Sequence, residues 1–232
     1  MPWLRLVSGW TLTDPRQASA MRAILEGLVP TPVSAKAVTP PKDQKKPKTG
    51  EVEKKTDEGL APPANTGALR LVLDTLLKIT PSVMNTEDRE AIAARVTALV
   101  DHPTVAVAAG ACRALGHVGD RVTAEPILRA HLDNYPLLVR LRALEGLVEL
   151  VGTDALPEVT RLGRESGFII TAIVLVGQIG DKAGEPFLKW ALKEGPGRKM
   201  RMRIEVSRAR KAIRKHNRVA GKAKSKAKSK SK

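Results

Sequence analysis

The chain has 232 residues, 40 of them Lys or Arg against 24 Asp or Glu, which gives a net charge of +16 and a pI near 10.3. Apolar residues make up 42% but aromatic ones only 3%, so any core is aliphatic, and a single cysteine excludes an intramolecular disulfide. No run of about 18 apolar residues offers a membrane span, and the apolar N-terminus lacks the shape of a signal peptide, so a cytoplasmic location is expected.

Segment 1–29 carries Trp3, Leu4, Leu6 and Trp10, then Asp14-Pro15, which reads as the N-cap and first residue of a helix running to about Leu28. Met21, Ile24, Leu25 and Leu28 give that helix one apolar side. Two readings stand: a docking peptide that inserts its aromatics into a partner, or an extra helix packed on the open end of the domain that follows. Residues 30–67 hold Pro30, Pro32, Pro40, Pro41, Pro47, Pro62 and Pro63 among Lys, Glu, Thr and Ala, the composition of a disordered linker.

From residue 68 the pattern turns helical. Leu69, Val72, Leu73, Leu76 and Ile79 form one stripe. Asn85 or Thr86 caps a second helix with Glu87, Asp88 and Glu90 in its first turn, and Ile92, Val96, Leu99 and Val100 face inward before His102-Pro103 ends it. Three stretches then echo one another: Val107 to Leu128, Val139 to Val159 and Phe168 to Leu188. Each opens on a helical stripe, such as Val139, Ala143, Leu147 and Leu150, or Phe168, Ala172, Leu175, Val176 and Ile179. Ala111, Ala143 and Ala172 hold equivalent places, where helices approach closely. Gly119, Gly152 and Gly180 end the first helix, as glycine does where a C-cap needs positive φ. Pro126, Pro157 and Pro186 follow near the first turn of the second helix, where a missing N–H costs little. The unit is helix, tight turn, helix, with a period near 30 residues, which marks a stacked array.

Val139-Arg140 followed by Ala143, and Leu115-Gly116-x-Val118-Gly119-Asp120 followed by Pro126, resemble the short bacterial HEAT-like repeats, also called bilin-lyase-type repeats. The resemblance covers roughly 68–215, with Ala108 and Ile169 standing where the family usually has Arg. It implies an all-α fold, a right-handed α-solenoid of HEAT-like helix pairs over residues 68–218. It says little of activity, since the family holds scaffolds, adaptors, lyase subunits and a few enzymes. The second helices of such units usually line the concave surface. Here they carry Arg129, Arg161, Arg164, Lys189 and Lys193, a possible basic ladder, while Glu125 to Arg129 and Glu185 to Lys189 are also spaced as ordinary i,i+4 surface pairs. Trp190 on the same face is either a groove aromatic or core.

The charge is concentrated at the end. Residues 68–195 hold 14 basic and 16 acidic side chains, net −2, whereas residues 196–232 hold 16 basic and one acidic, net +15. Met202, Val206, Ala209 and Ile213 make a narrow apolar seam on a basic helix, suited to capping the array. Arg198, Lys199, Arg201, Arg208, Lys211, Arg214, Lys215 and Arg218 surround it. Residues 219–232 then alternate Lys222, Lys224, Lys226, Lys228, Lys230 and Lys232 with Ala or Ser, a disordered tail. Such tails resemble the arms of histone-like proteins and neutralise phosphates by releasing counterions. Nucleic acid or the ribosome, an acidic protein or anionic lipid, and a merely solubilising role are the open readings, the first adding a nucleoid association.

Catalysis finds little support. His102, His117, His131 and His216 have no metal-ligand spacing, so no metal or cofactor is expected. Gly116-His117-Val118-Gly119 closes a helix and is no phosphate loop. His117 reads as a helix-end residue, Asp120 and Asp181 as caps, and Cys112 as buried packing. The expectation is a non-catalytic scaffold that binds a protein on its array and a polyanion with its basic helix and tail. The alternatives are a DNA-acting enzyme resembling the HEAT-like alkylpurine glycosylases, or a lyase-type accessory subunit.

Overall fold

The computed structural model describes residues 15–29, 65–165, 167–193 and 200–230, and every element among them is helical. The segment with Trp3 and Trp10 and the linker up to residue 64 lie outside the described residues. In chain order the helices are α1 (Pro15–Leu28), α2 (Thr66–Leu76), α3 (Thr86–Thr97), α4 (Val105–Val118), α5 (Arg121–Ala130), α6 (Leu137–Val151), α7 (Leu156–Leu162), α8 (Ile169–Ile179), α9 (Glu185–Lys193) and α10 (Met200–Lys230). Short 3-10 turns at Gly152–Ala155 and Lys182–Gly184 lead into α7 and α9.

The helix ends follow local chemistry. The Asn85 side chain accepts the Asp88 N–H at 2.7 Å, Asp120 accepts that of Thr123 at 3.0 Å, and Asp181 accepts that of Ala183 at 2.9 Å, each covering a donor the helix leaves open. Gly152 and Gly180 sit at φ 60° and 72°, as predicted, but Gly119 does not: its φ is −68°. Gly119 is required for space instead, because a Cβ there would lie 2.7 Å from the Cβ of Ala124. Pro157 and Pro186 are the second residues of α7 and α9. Pro126 breaks the expectation and falls inside α5, because the Asp120 cap starts that helix early. It is tolerated where residues 121–123, the turn it leaves without a hydrogen bond, are exposed.

The first helices of successive units pack on one another, α2 on α4, α4 on α6 and α10 on α8, while α5 packs against α6 and α7 against α8. The predicted stripes form one continuous core: Leu69, Leu73, Ile92, Val96, Ala111, Ala143, Leu147, Ala172, Leu175 and Val176 are all buried. The closest approach is between α4 and α6. A Cβ at Gly116 would run into the Gly146 backbone, and one at Gly146 would lie 2.6 Å from the Cys112 carbonyl. Cys112 is itself fully buried, and burial pushes its thiol up to about 12.

At the N-terminal end α1 packs on α2 and α3, burying Ala18, Met21, Leu25 and Val29. Asp88 fastens it. Its carboxylate accepts the Ser19 hydroxyl at 2.7 Å, Arg22 Nη1 at 3.2 Å and the Asn85 amide at 2.9 Å. These bonds, led by that of Ser19, hold the carboxyl below the usual range. At the other end α10 continues to Lys230, where the sequence predicts a structureless tail from residue 219. Lysine and alanine are both good helix formers, which favours that continuation.

Candidate functional site

The last helix joins the core by the predicted seam. Met202, Val206, Ala209 and Ile213 are buried at spacings of four, three and four residues, and Gly177 lets α10 press against α8, since a Cβ there would lie 2.8 Å from the Cα of Ala209. At 100° per residue the seam fills less than a quarter of the helix circumference. The opposite side is cationic. Arg201, Arg203, Arg208, Lys211, Arg214, Lys215 and Arg218 are exposed and Arg210 is half-buried. From Arg201 to Arg218 the row spans about 26 Å at 1.5 Å per residue.

Little neutralises it. Among the described residues the one ion pair on α10 joins Arg208 to Glu205, at 2.8 Å. Arg198, Lys199 and Lys232 lie outside the described residues, and Lys222, Lys224, Lys226, Lys228 and Lys230 fall on the helical continuation. Arg203 and Arg210 belong to the same face and were legible from the seam, which leaves them nowhere to turn but outward or to its edge.

The second helices present a different picture from a basic ladder. Arg129 is half-buried between Glu125 and Glu158, bonding both. Arg161 forks onto Asp133 at 3.1–3.3 Å. The Arg164 guanidinium lies 5.6 Å over the Trp190 ring, which stacks on Phe187, and Trp190 is partly buried against the core. Lys189 and Lys193 alone of the expected set stand exposed without a partner among the described residues.

Most of these contacts join residues about 30 positions apart, the spacing of the sequence echo. Arg113 meets Glu145, Arg121 meets Asp154, Arg129 meets Glu158, and His131 meets Asp101. His117 belongs to the same set. Its Nδ1 faces the Glu149 carboxylate and its Nε2 donates to the Ile79 carbonyl at 2.6 Å, so the ring ties together three successive units. Both partners are acceptors, which only the doubly protonated ring can satisfy. Glu149 accordingly raises the His117 pKa, against the opposing effects of burial and of Arg89 nearby.

Clefts open along first and second helices alike, and one of about 450 Å³ lies on α5 beside Arg121, Glu125 and Arg129. One of about 560 Å³ opens where α6 and α8 part, lined by Arg113, Glu145, Glu149, Thr171, Val174 and Gln178 among others. Another, of about 340 Å³, shares Val174 and Gln178 and runs on to Glu205, Arg208 and His216 of α10. Among the described residues no cluster of His, Cys, Asp or Glu could hold a metal ion, and no helix is long and apolar enough to cross a membrane. Comparison with protein-family models, with curated proteins and with solved structures finds no match to this chain.

Proposed function

We propose that this protein is a non-catalytic scaffold, a right-handed α-solenoid of HEAT-like helix pairs that holds a protein partner on its array and contacts nucleic acid or another polyanion through its last helix and lysine-rich end. The observation that carries this reading is the contrast in pairing: Arg113, Arg121, Arg129 and Arg161 each meet a carboxylate about 30 residues away, whereas the eight cations from Arg201 to Arg218 have one glutamate among them, paired with Arg208. Unpaired cations fixed on a helix attract phosphates and release their condensed counterions. Residues 68–195 are close to neutral, so nearly all of the net positive charge, and the long-range field it makes, is concentrated at this end.

Gel retardation of the full-length protein with nucleic acid over a salt series tests it. Deleting residues 219–232 removes six lysines. If all six contact duplex phosphates, the slope of log K against log salt flattens by roughly five units, at about 0.9 per contact. No retardation at low salt, or an unchanged slope after the deletion with binding intact, would leave a neutral adaptor with a solubilising extension.

A further inference from the structure

The polyanion reading of α10 leaves open which polyanion, and on that reading the geometry of the helix chooses. We infer that the ligand is B-form duplex DNA, with α10 lying in the major groove and its two flanks bonding the phosphates of both strands. At 100° per residue the cations sort into two rows. Arg203, Arg210 and Arg214 fall within about 40° of one another on one flank, and Arg201, Arg208 and Lys215 within about 40° on the other, the two rows some 140° apart. Ile204, Ser207, Lys211 and Arg218 occupy the crest between them, and all four are exposed. A helix with side chains is about 10–12 Å across, and the B-form major groove is about 12 Å wide, so arginines on opposite flanks reach opposite groove walls.

Other polyanions fit this face less well. A single strand offers one row of phosphates and is held by aromatic stacking, and residues 196–232 contain no Phe, Tyr or Trp. An A-form RNA duplex has a deep, narrow major groove that does not admit a helix. A bilayer requires an apolar helix face, and that of α10 is already buried: Met202, Val206, Ala209 and Ile213 are each 5% exposed or less, against α8 and α9. The close contact of Gly177 with Ala209 fixes the roll of the helix, so the crest points outward before any ligand arrives.

The test uses the full-length protein and fluorescence anisotropy across a salt series. The probes are a 20-base-pair DNA duplex, the matching RNA duplex, a single strand and heparin. Two variants each neutralise exposed residues of one row, Arg203→Gln with Arg214→Gln, and Arg201→Gln with Lys215→Gln. The DNA duplex should bind tightest of the nucleic acids, a major-groove dye should compete where a minor-groove dye does not, and each variant should flatten the DNA salt slope by about 1.8 units, two contacts at about 0.9. Unchanged helical circular dichroism and melting confirm that the variants fold. Equal binding of single strands or RNA duplex, competition by the minor-groove dye alone, or a full slope retained in either row variant overturns the duplex inference and leaves the polyanion reading standing. Absence of binding to every probe at low salt overturns both.

Discussion

Arginines of the array and arginines of α10 are the same side chain in opposite situations. Arg113, Arg121, Arg129 and Arg161 each meet a carboxylate about 30 residues away in sequence, so the packing of the helices and the pairing of charges are one event. The end of the chain has no such partners: residues 196–232 contain a single acid, Glu205. The difference shows that a basic composition has two meanings. Where the period returns an acid to each base, the charge cements the fold. Where the echo stops, the charge faces outward, free on the present reading to meet a polyanion. Changes in the array should therefore alter stability and spare polyanion binding, and changes on α10 should do the reverse.

The largest effect should come from the tightest part of the array. Gly116→Val places a branched side chain against the Gly146 backbone, which no rotamer relieves, and should cost above ~4 kcal/mol and prevent cooperative folding. Leu147→Ala and Leu175→Ala follow at ~2–5 kcal/mol each, since both delete buried methyls and leave a cavity. Urea denaturation measures all three. A loss under ~0.5 kcal/mol at both leucines would mean that the stripe does not form the core.

Much of this architecture is legible in the amino-acid sequence. The seam of α10, the stripes of α2, α3, α6 and α8, the Asn85, Asp120 and Asp181 caps, and the glycine ends at 152 and 180 follow from spacing alone, because helical period and turn chemistry are local. Contacts between units are not local. Gly116 and Gly146 read as ordinary helix residues, and nothing in their own helices marks the place where the two backbones touch. Asp88 reads as a first-turn acid favoured by the helix dipole, and its larger role is to fasten α1 through Ser19 and Arg22. The charge pairs between repeats do leave a trace. Arg113 and Glu145 stand at equivalent places in adjacent copies with opposite sign, a pattern visible once the copies are aligned.

A matched pair of arginines sharpens the contrast at intermediate cost. Arg129→Gln leaves Glu158 half-buried without its cation and should lower stability by ~1–3 kcal/mol while polyanion affinity stays unchanged. Arg214→Gln removes an exposed cation without an ion pair among the described residues and should change stability by under ~0.5 kcal/mol while flattening the salt slope by about one unit. If both variants weaken binding equally, the array takes part in the polyanion surface and the division fails.

The smallest stability effect among the charge pairs should be the pH dependence of the His117 bridge, worth ~0.2–1 kcal/mol because Glu149 is nearly half exposed. Glu149 raises the folded-state pKa of His117 above its ordinary value of about 6.5. The folded protein then holds the proton more tightly than the unfolded chain. The bridge's stabilisation is complete below the unfolded pKa and disappears as pH rises through the folded one. Wild-type stability should fall between pH 6 and pH 8 relative to Glu149→Gln, which keeps the shape and removes the charge that retains the proton. The comparison stops at pH 8 because Cys112, with its raised pKa, adds a loss of the same sign once unfolded thiols ionise near pH 8.5. Urea midpoints of both proteins across that window give the answer. Parallel curves would show that the ring is neutral throughout and bonds only one of its two acceptors. The salt slope of polyanion binding, set by α10, should be unaffected by Glu149→Gln at either pH.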